Sequence, residues 1–555
     1  MFNVRKADIL VIGGGGAGIK AAIVAAENGK KVILLSKGPL SRTGITPVAG
    51  EGIEGAVNPG DSVAMHFSDT VKAGRGLADE DLVWALAEDS IDRIHELEEY
   101  GTKFKKKEDG TFATSVRPGQ SHSRNLFIKG GGWGMAASLY KKLAKLPNIQ
   151  IVDSAVVTRF LVKDDQVIGA VYLNVNDGKI EAIQSKATIL ASGGYEELWP
   201  FTDTPPDTTG ETLAMVYQIG GQLVDLEMVL YYPGVVVYPP AARGWLVQYE
   251  YILNPDILDG RVVNGQGEEF IKGFPARDEF IGAIQREVKN GTASPHGGFF
   301  VDLSQSRYSH EILTEKMLNW LHQYSNLRNV GIDLRTDKLE MAPAAHYCLG
   351  GIRIDDHGQT NKKGLFAAGE ITGNVHGANR ISGNALSETQ VFGKRAAMSA
   401  CQYADETDFV TVHFDQQLID EYEQISCWQQ LKEMGIRPSA LKKELQKVMD
   451  QYVGLERNET RLQAGLVLIK KLRDKVANLT VVSQNSYCYE LREAYEVRGM
   501  IDLAQLVILS ALRRKETRGH HFRTDYLQTE KTPYHTSICL SQGEHNIVLL
   551  PVTKR

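Results

Sequence analysis

Three glycines near the start of the chain have a spacing suited to binding a diphosphate. Gly13, Gly15 and Gly18 would allow a tight turn, a close approach of the backbone to a ligand, and close packing of a helix on a sheet. A helix that begins at this point presents free N–H groups and a positive dipole end to phosphates. The pattern predicts a bound dinucleotide; a tight strand-to-helix turn that binds nothing is the alternative.

The surrounding sequence supplies the elements that such glycines require. Residues 8–37 are typical of a buried strand, a glycine-rich turn, a helix and a second strand. Further strands that could complete a parallel sheet are predicted at 149–152, 157–162, 167–173, 187–191 and 364–369. The nucleotide-binding domain is therefore predicted to be split, with one block at 1–225 and a second at 340–405.

The rest of the chain is expected to form two further domains. Residues 226–339 are rich in Tyr, Pro and Gly, with helical segments at 278–290 and 309–323, which indicates an inserted α+β capping domain. Residues 406–555 show helical periodicity and are predicted to form a C-terminal helical domain, with examples at 440–451, 460–477 and 487–514. The expected fold class is α/β, with a split Rossmann-like domain, the inserted capping domain and the helical domain.

The composition excludes several classes of partner. With 555 residues, 43% hydrophobic and 23% charged, the chain is typical of globular proteins with several domains. A net charge of −6 gives no reason to expect nucleic acid. No apolar run approaches the roughly 20 residues of a membrane span. The N-terminal residues lead straight into a strand rather than a signal peptide, so we expect a cytoplasmic protein.

The cysteines exclude a self-contained cluster of iron and sulfur. Five cysteines are spread along the chain and none belongs to a Cys-x-x-Cys pair. We expect reduced thiols and no metal site. Cys348 alone falls within one of the motifs that follow.

Taken in order along the chain, the motifs resemble the flavoprotein subunits of fumarate reductase and succinate dehydrogenase, and their relative L-aspartate oxidase. The resemblance covers nearly the whole chain. Besides the glycine turn, it rests on Ser36–Lys37, Ala191–Gly194, Pro275–Asp278, Ala345–Gly351, Gly364–Glu370, His376–Arg380, Ser382–Leu386 and Glu516–His520.

The resemblance implies that the dinucleotide is FAD and that the split domain is an FAD-binding domain. Glu211 stands where the family usually has aspartate. By position, the implied FAD contacts are Gly13, Gly15, Ala17, Gly18, Ser36, Lys37, Thr43, Gly44, Gly193, Glu211, Glu370, Arg380, Asn384 and Leu386.

The resemblance also assigns catalytic roles to three cationic residues. His346 and Arg380 match the family's carboxylate-binding histidine and arginine, and Arg277 matches the arginine that delivers the proton. An arginine fork suits a carboxylate because it can donate to both oxygens. The alternatives are a structural histidine, an Arg380 that only positions FAD, and an Arg277 in an interdomain salt bridge.

Two parts of the family's substrate site are missing. In the segment that matches Gln-Tyr-His-Pro, Tyr232 takes the place of histidine. The Thr-Glu-x-x-Arg segment, which holds the second carboxylate in the family, corresponds to residues 252–256, where neither the Thr–Glu pair nor the arginine occurs. Glu250 and Arg243 are the candidate replacements.

The missing arginine bears on the substrate. A buried carboxylate that loses its partner costs roughly 2–5 kcal/mol. We therefore expect a substrate with one carboxylate at His346 and Arg380 and a less charged, tyrosine-lined far end, rather than fumarate in its usual pose.

The mode of FAD attachment differs from that of the membrane-bound relatives, which use a histidine in Arg-Ser-His-Thr. Because no histidine occurs between residues 1 and 65, we predict that FAD is held non-covalently. Residues 121–124 resemble a Ser-His-Arg-Arg stretch of L-aspartate oxidase near the flavin. His122 and Arg124 are therefore candidate substrate contacts, together with Tyr232.

These features favour an FAD-dependent oxidoreductase acting on CH–CH groups, with hydride transfer between flavin N5 and a carbon–carbon bond α,β to a carboxylate. One alternative is an amino-acid oxidase of the L-aspartate oxidase type. Another is a flavin electron-transfer subunit, although the presence of Arg277, His346 and Arg380 argues against it. The expected partners are a small carboxylate substrate and an iron–sulfur electron-transfer subunit.

Overall fold

The computed structural model describes residues 4–40, 42–50, 52–411, 414–430, 432, 434–482 and 486–555. The strands are β1 Val4–Ile12, β2 Val32–Leu35, β3 Gly52–Glu54, β4 Thr114–Ser115, β5 Asn125–Phe127, β6 Ile149–Val152, β7 Ala155–Lys163, β8 Gln166–Asn174, β9 Ile180–Leu190, β10 Leu223–Val224, β11 Val229–Tyr238, β12 Arg261–Val263, β13 Phe299–Asp302, β14 Leu339–Cys348, β15 Gly351–Ile352, β16 Leu365–Ala367, β17 Glu456–Arg457, β18 Phe522–Arg523, β19 Tyr534–Ser541 and β20 Glu544–Pro551. The helices are α1 Gly16–Glu27, α2 Val63–Ala73, α3 Glu80–Tyr100, α4 Gly131–Leu143, α5 Glu211–Gln218, α6 Tyr249–Ile252, α7 Arg277–Asn290, α8 His310–Trp320, α9 Tyr324–Asn329, α10 Asn384–Glu406, α11 Asp415–Gln429, α12 Pro438–Val453, α13 Glu459–Lys475 and α14 Tyr489–Arg513.

A parallel sheet forms the centre of the nucleotide-binding domain. Its order is β6-β2-β1-β9, and β16 pairs with the end of β9. The first part of β9 instead carries the antiparallel pair β8 and β7. Ile9, Leu10 and Val11 are fully buried because both faces of the parallel sheet are covered. The split domain predicted from the sequence is thus closed by β16, which lies far along the chain from β1.

The turn between β1 and α1 requires glycine at two positions. Gly13 has φ +117°, and a Cβ there would lie 2.1 Å from the Ala191 carbonyl oxygen. A Cβ on Gly18 would lie 1.9 Å from the Gly13 carbonyl oxygen. Helix α1 therefore packs against the turn as closely as the absence of side chains allows.

The insertion carries an antiparallel sheet of its own, in the order β11-β14-β13-β12, with α7 packed on β11. Strand β14 runs from Leu339 to Cys348, so this sheet extends past residue 339, the predicted end of the capping domain. The two long strands β11 and β14 pair along nearly their whole length, which is why β14 stays with the insertion.

The C-terminal region is helical up to Arg513, where α12, α13 and α14 pack on one another and α14 packs on α5. After it, β19 and β20 form a hairpin that pairs with β10. The fold class predicted from the sequence is confirmed, whereas the hairpin was not expected inside a helical domain. None of the helices in the described part of the chain combines the length and the apolar character needed to cross a bilayer.

Candidate active site

A slot at the carboxyl ends of β1, β2, β9 and β16 is where a parallel sheet of this kind binds a nucleotide. Ten of the predicted FAD contacts line it: Gly13, Gly15, Ala17, Ser36, Lys37, Thr43, Gly44, Gly193, Glu211 and Glu370. A Cβ on Gly15 would come no closer than 3.8 Å to Thr46 Oγ1, and one on Gly193 would meet nothing within 4 Å. The protein does not fill the space beside these glycines, so the slot fits a ligand that approaches the backbone as a diphosphate does.

One end of the slot is built around the partly buried ammonium group of Lys37. Lys37 Nζ lies 2.8 Å from Glu211 Oε1 and 3.1 Å from Glu496 Oε1, and it donates to Thr209 Oγ1 at 2.7 Å. Burial acts to lower the pKa of Lys37, but the two carboxylates outweigh it and the pKa lies above its ordinary value. Lys37 and Glu211 therefore hold each other in their charged forms beside the slot.

A second cavity adjoins the first and shares Ile45, Thr46, Glu370 and Thr389 with it. The predicted residues that line it are His346, Arg380, Arg277, Tyr232 and Leu386. The structure thus brings together the three predicted catalytic cations at one cavity, although they come from β14, from the loop before α10 and from the first turn of α7.

His346 and Arg380 form one corner of this cavity. The His346 ring bonds to Asp203 through Nδ1 at 2.8 Å, and Arg380 Nη2 lies 3.4 Å from His346 Nε2. The Arg380 guanidinium also stacks 4.3 Å above the Tyr347 ring. Burial and the nearby Arg277 lower the pKa of Arg380 to about 10, so that it remains charged at neutral pH.

Tyr232, Glu250 and Arg277 form the adjoining wall. Tyr232 pairs with Ala344 across β11 and β14, which puts its ring 5.0 Å from that of His346 on the same face. The Tyr232 hydroxyl donates to Glu250 Oε2. Arg277 Nη2 lies 3.5 Å from Glu250 Oε1, and its guanidinium lies 4.9 Å from the Tyr232 ring centre. Glu250, suggested above as a replacement for the family's glutamate, is therefore in contact with Arg277.

Glu370 lies where the two cavities meet. Its Oε1 accepts a hydrogen bond from the Cys348 backbone at 3.0 Å, and the side chains of Glu196 and Cys348 are close to its carboxyl group. Burial and the neighbouring Glu196 raise the pKa of Glu370 well above its ordinary value. Glu370 therefore keeps its proton to a higher pH than an exposed carboxylic acid does, beside the place where the two cavities join.

Two nitrogen atoms of the predicted catalytic arginines are left for a ligand. Arg380 Nε and Arg277 Nη1 are buried and have no hydrogen-bond partner among the described residues. A buried donor without a partner costs roughly 1–3 kcal/mol, and a bound carboxylate would supply the missing acceptors. This arrangement can orient a carboxylate next to the dinucleotide slot.

Four of the predicted site residues line neither cavity. Gly18 packs α1 on the turn, as described above. Asn384 bonds to His66 Nε2 at 2.8 Å and to Thr70 Oγ1 at 3.0 Å. Arg124 is fully buried and pairs with Asp61 and Asp69. The His122 ring lies 3.5 Å from the Cβ position of Gly60. Asn384 and Arg124 therefore have structural partners, while roles in ligand binding for all four stay predictions.

The structure also adds residues that the motifs did not show. Thr46 Oγ1 accepts the Gly16 backbone N–H at 2.9 Å at the start of α1. Glu496 reaches Lys37 from α14, and Arg117 lines the second cavity. Arg243, the other suggested replacement, is exposed and stacks on Phe201 at 4.3 Å outside that cavity. Thr46 follows Gly44 by two residues and could have been suspected from that spacing.

The chain is similar to known flavoproteins over its whole length. A family model described as an FAD binding domain matches residues 8–386, and one described as the fumarate reductase flavoprotein C-term matches residues 442–553. The chain is 35% identical to one of the subunits of fumarate reductase (CoM/CoB) from Methanothermobacter marburgensis, over 95% of this chain and 96% of that protein. The chain belongs to the fumarate reductase/succinate dehydrogenase flavoprotein family.

Two further relatives agree with this assignment. L-aspartate oxidase of Vibrio cholerae is 29% identical, over 94% of this chain and 96% of that protein. The solved structure of Mycobacterium smegmatis Sdh1 in complex with UQ1 is 28% identical and matches with a TM-score of 0.90, over 100% of this chain and 95% of that one. The family member described here is an FAD-dependent oxidoreductase acting on CH–CH groups, and the prediction of FAD as its cofactor is confirmed.

Proposed function

We propose that this flavoprotein reduces, or forms, a carbon–carbon double bond next to a carboxylate. When bound, FAD supplies hydride transfer at its N5 atom. The observation that carries the proposal is the meeting of Arg380, His346 and Arg277 at one cavity that adjoins the FAD slot. Arg380 Nε and Arg277 Nη1 have no hydrogen-bond partner among the described residues, so both can donate to a carboxylate bound in this cavity.

In this proposal Arg380 and His346 orient the substrate. The arginine donates through its fork to the carboxylate, and Asp203 fixes the plane of the imidazole through Nδ1. Since a shift of about 1 Å in the reacting atoms can cost about a hundredfold in rate, rigid support of both groups matters. The buried stacking of Arg380 on Tyr347 gives that support.

Arg277 delivers the proton to the second carbon and is recharged through Glu250. The 3.5 Å separation of Arg277 and Glu250 is short enough for this relay once the substrate is seated. A third cavity, lined by Lys72, Arg75 and Glu279 among others, also reaches Glu250 and Arg277. It gives the relay a route for protons that is separate from the FAD slot.

A panel of acids tests the reaction. The flavin of the purified protein is reduced by light without oxygen, and enoic acids including fumarate are then added. Reoxidation by an enoic acid supports the proposal. Hydrogen peroxide formed from L-aspartate in air would support the amino-acid oxidase instead, and no reaction with any small acid would support a flavin electron-transfer subunit.

The FAD is proposed to be held without a covalent bond, since no histidine occurs in the first 65 residues. Treatment with acid or heat should release all of the yellow colour into the supernatant. Colour that stays with the precipitated protein after washing would contradict this assignment.

Electrons would reach the flavin from a partner that carries iron–sulfur clusters. Two observations support this part of the proposal. The relative from Methanothermobacter is named as one subunit of its enzyme, and the five cysteines of this chain lack cluster spacing. Purification from the native source should yield a complex with iron and acid-labile sulfide in fixed ratio to FAD; a pure FAD protein with full activity would contradict it. The cytoplasmic location stays a prediction.

A further inference from the structure

Arg75, one of the residues that line the third cavity, forms an ion pair with the start of helix α7. Its Nε donates to Asp278 Oδ2 at 2.7 Å and its Nη2 donates to Asp278 Oδ1 at 2.8 Å, so the pair is bidentate. Nη2 also donates to Glu279 Oε1 at 3.2 Å. Asp278 is only 8% exposed and directly follows Arg277 in the chain. Arg75 therefore binds the helical turn that carries the proposed proton donor.

The turn that contains Arg75 is fixed on two sides. The Ala378 N–H donates to the Gly74 carbonyl oxygen at 3.0 Å, and a Cβ on Gly377 would lie 2.6 Å from the same oxygen. On the other side, Arg518 Nη1 donates to the carbonyl oxygen of Arg75. The turn is thus held by backbone contacts and by the C-terminal region, which gives the Arg75 side chain a rigid base.

The same turn connects the two arginines of the substrate cavity. Arg380 follows Ala378 by two residues, and Arg277 precedes the partner of Arg75 by one. Arg277 and Arg380 carry like charges and line one cavity, so they repel each other. The ion pair of Arg75 opposes this repulsion, because it draws the start of α7 towards the segment that leads to Arg380.

Other contacts of this helical turn stay inside the insertion. Arg277 Nη2 lies 3.5 Å from Glu250 Oε1, and the ring of Phe280 packs edge-on against that of Tyr249, with the ring centres 5.1 Å apart. These contacts place α7 on its own sheet. They do not fix its position relative to Arg380, which lies outside the insertion.

We propose that Arg75 is a positioning residue, which sets the place of Arg277 relative to a substrate bound at Arg380. It does so through its ion pair with Asp278. The inference rests on the proposed function, since it concerns the proton donor of that reaction. Arg75 is not among the residues that line the substrate cavity, so it acts on turnover through α7.

A comparison of kcat with KM tests this role. Turnover is measured with a reduced viologen dye and an enoic acid that the unchanged protein reduces. We expect Arg75→Met to lower kcat by about 10- to 100-fold, because a displacement of the proton donor by about 1 Å is costly. KM should change by no more than about threefold, since Arg380 and His346 still bind the carboxylate. Arg75→Lys keeps the charge but loses the fork, so its kcat should be intermediate.

Asp278→Asn tests the same ion pair from its other side and keeps the shape of the side chain. It should lower kcat in the same way as Arg75→Met. The double variant should be no slower than the slower single variant, because both changes remove one interaction. Effects that multiply in the double variant would overturn the inference. FAD content and melting temperature show that each variant has folded, and Asp278→Asn carries the test if Arg75→Met does not bind FAD.

A second bidentate ion pair provides the matched control. Arg307 donates to Asp259 Oδ2 through Nε at 3.0 Å and to Asp259 Oδ1 through Nη2 at 3.2 Å, but both residues belong to the insertion. Arg307→Met should therefore leave kcat and KM unchanged. An unchanged kcat in Arg75→Met, a rise in KM alone, or an equal loss of kcat in Arg307→Met would overturn the inference.

Hydrogen exchange of the FAD-loaded protein without substrate tests the position of α7 independently of turnover. The backbone amides of residues 280–284 should exchange ~10-fold faster or more in Arg75→Met, and at the unchanged rate in Arg307→Met. A loss of kcat without faster exchange would place the effect outside α7 and overturn the inference.

The proposed function can fail separately. If exchange becomes faster in Arg75→Met and yet no enoic acid reoxidises the reduced flavin of the unchanged protein, the positioning of α7 by Arg75 stands and the proposed reaction is wrong. If enoic acids react and neither kcat nor exchange responds to Arg75→Met, the reaction stands and the role of Arg75 is wrong.

Discussion

At the scale of single residues, Tyr232 changes the charge of the substrate cavity. Its ring lies between His346 and Arg277, at 5.0 Å and 4.9 Å. Burial and the nearby Glu250 raise the pKa of Tyr232 well above 10, so the hydroxyl stays protonated and donates to that carboxylate. A histidine here could carry a positive charge, but the tyrosine cannot. The cavity therefore depends on arginines for its positive charge.

Arg277 is the residue on which turnover should depend most. We expect Arg277→Gln to lower kcat by about 10²–10⁴-fold, the usual contribution of a general acid, while FAD stays bound. The drop should appear in the rate at which an accepted enoic acid reoxidises the reduced flavin, measured by stopped flow. The visible spectrum reports FAD content in the same sample. Unchanged turnover in this variant would remove Arg277 from the proton-donor role.

The sequence could single out His346, Arg380 and Arg277 as candidate site residues because each belongs to a short motif whose neighbours are informative. Arg117 has no such context. Its place on the cavity depends on contacts with Tyr251 of α6 and Asn125 of β5, and α6 lies more than a hundred residues further along the chain. A contact of this kind forms only when the insertion packs on the FAD domain. The spacing of residues along the chain therefore cannot predict it.

At the scale of elements, the turn between β1 and α1 uses two of its glycines for different purposes. Gly18 meets protein, since its Cβ position is 1.9 Å from a carbonyl oxygen, whereas Gly15 faces the slot with its nearest neighbour at 3.8 Å. The pattern of strand, glycines and helix predicted this element because the residues that form it follow one another within a single short segment. The hairpin of β19 and β20 could not be predicted in the same way, because β10, its partner strand, is only two residues long and some three hundred residues away.

The two glycines give a matched pair of variants. Gly18→Ala should destabilise the FAD-free protein by roughly 1–3 kcal/mol, the usual cost of forcing a methyl group into a packed site. Gly15→Ala should leave the FAD-free protein as stable as before, since Gly15 has a φ of −79° that alanine adopts freely, but it should weaken FAD binding. Melting temperatures without FAD and FAD titrations separate the two effects. The same loss of stability in both variants would contradict this division of roles.

At the scale of the whole molecule, parts that lie far apart in the chain converge on the FAD domain. Glu496 of α14 pairs with Lys37, which lines the FAD slot, so a C-terminal helix supports a residue from the first forty of the chain. The C-terminal hairpin is joined to the same domain by His535. Its Nδ1 lies 2.5 Å from Asp225 Oδ2, and its Nε2 lies 3.2 Å from Asp79 Oδ1. Arg514 shares Asp225 with it at 2.8 Å.

This buried histidine should make stability depend on pH. Burial alone would lower the pKa of His535, but Asp225 and Asp79 raise it to about 9. The unfolded chain has the ordinary value of about 6.5, so the folded state binds the proton more tightly. The stabilisation is fully present below pH 6.5 and is lost as the pH rises through 9, by about 3 kcal/mol at most. The check is the free energy of unfolding in urea at pH 6.5 and 9.5, for the unchanged protein and for His535→Gln. At each pH, the unfolding free energy of the variant is subtracted from that of the unchanged protein, which cancels the titration of other groups. If this difference is the same at pH 6.5 and at pH 9.5, His535 does not hold this proton.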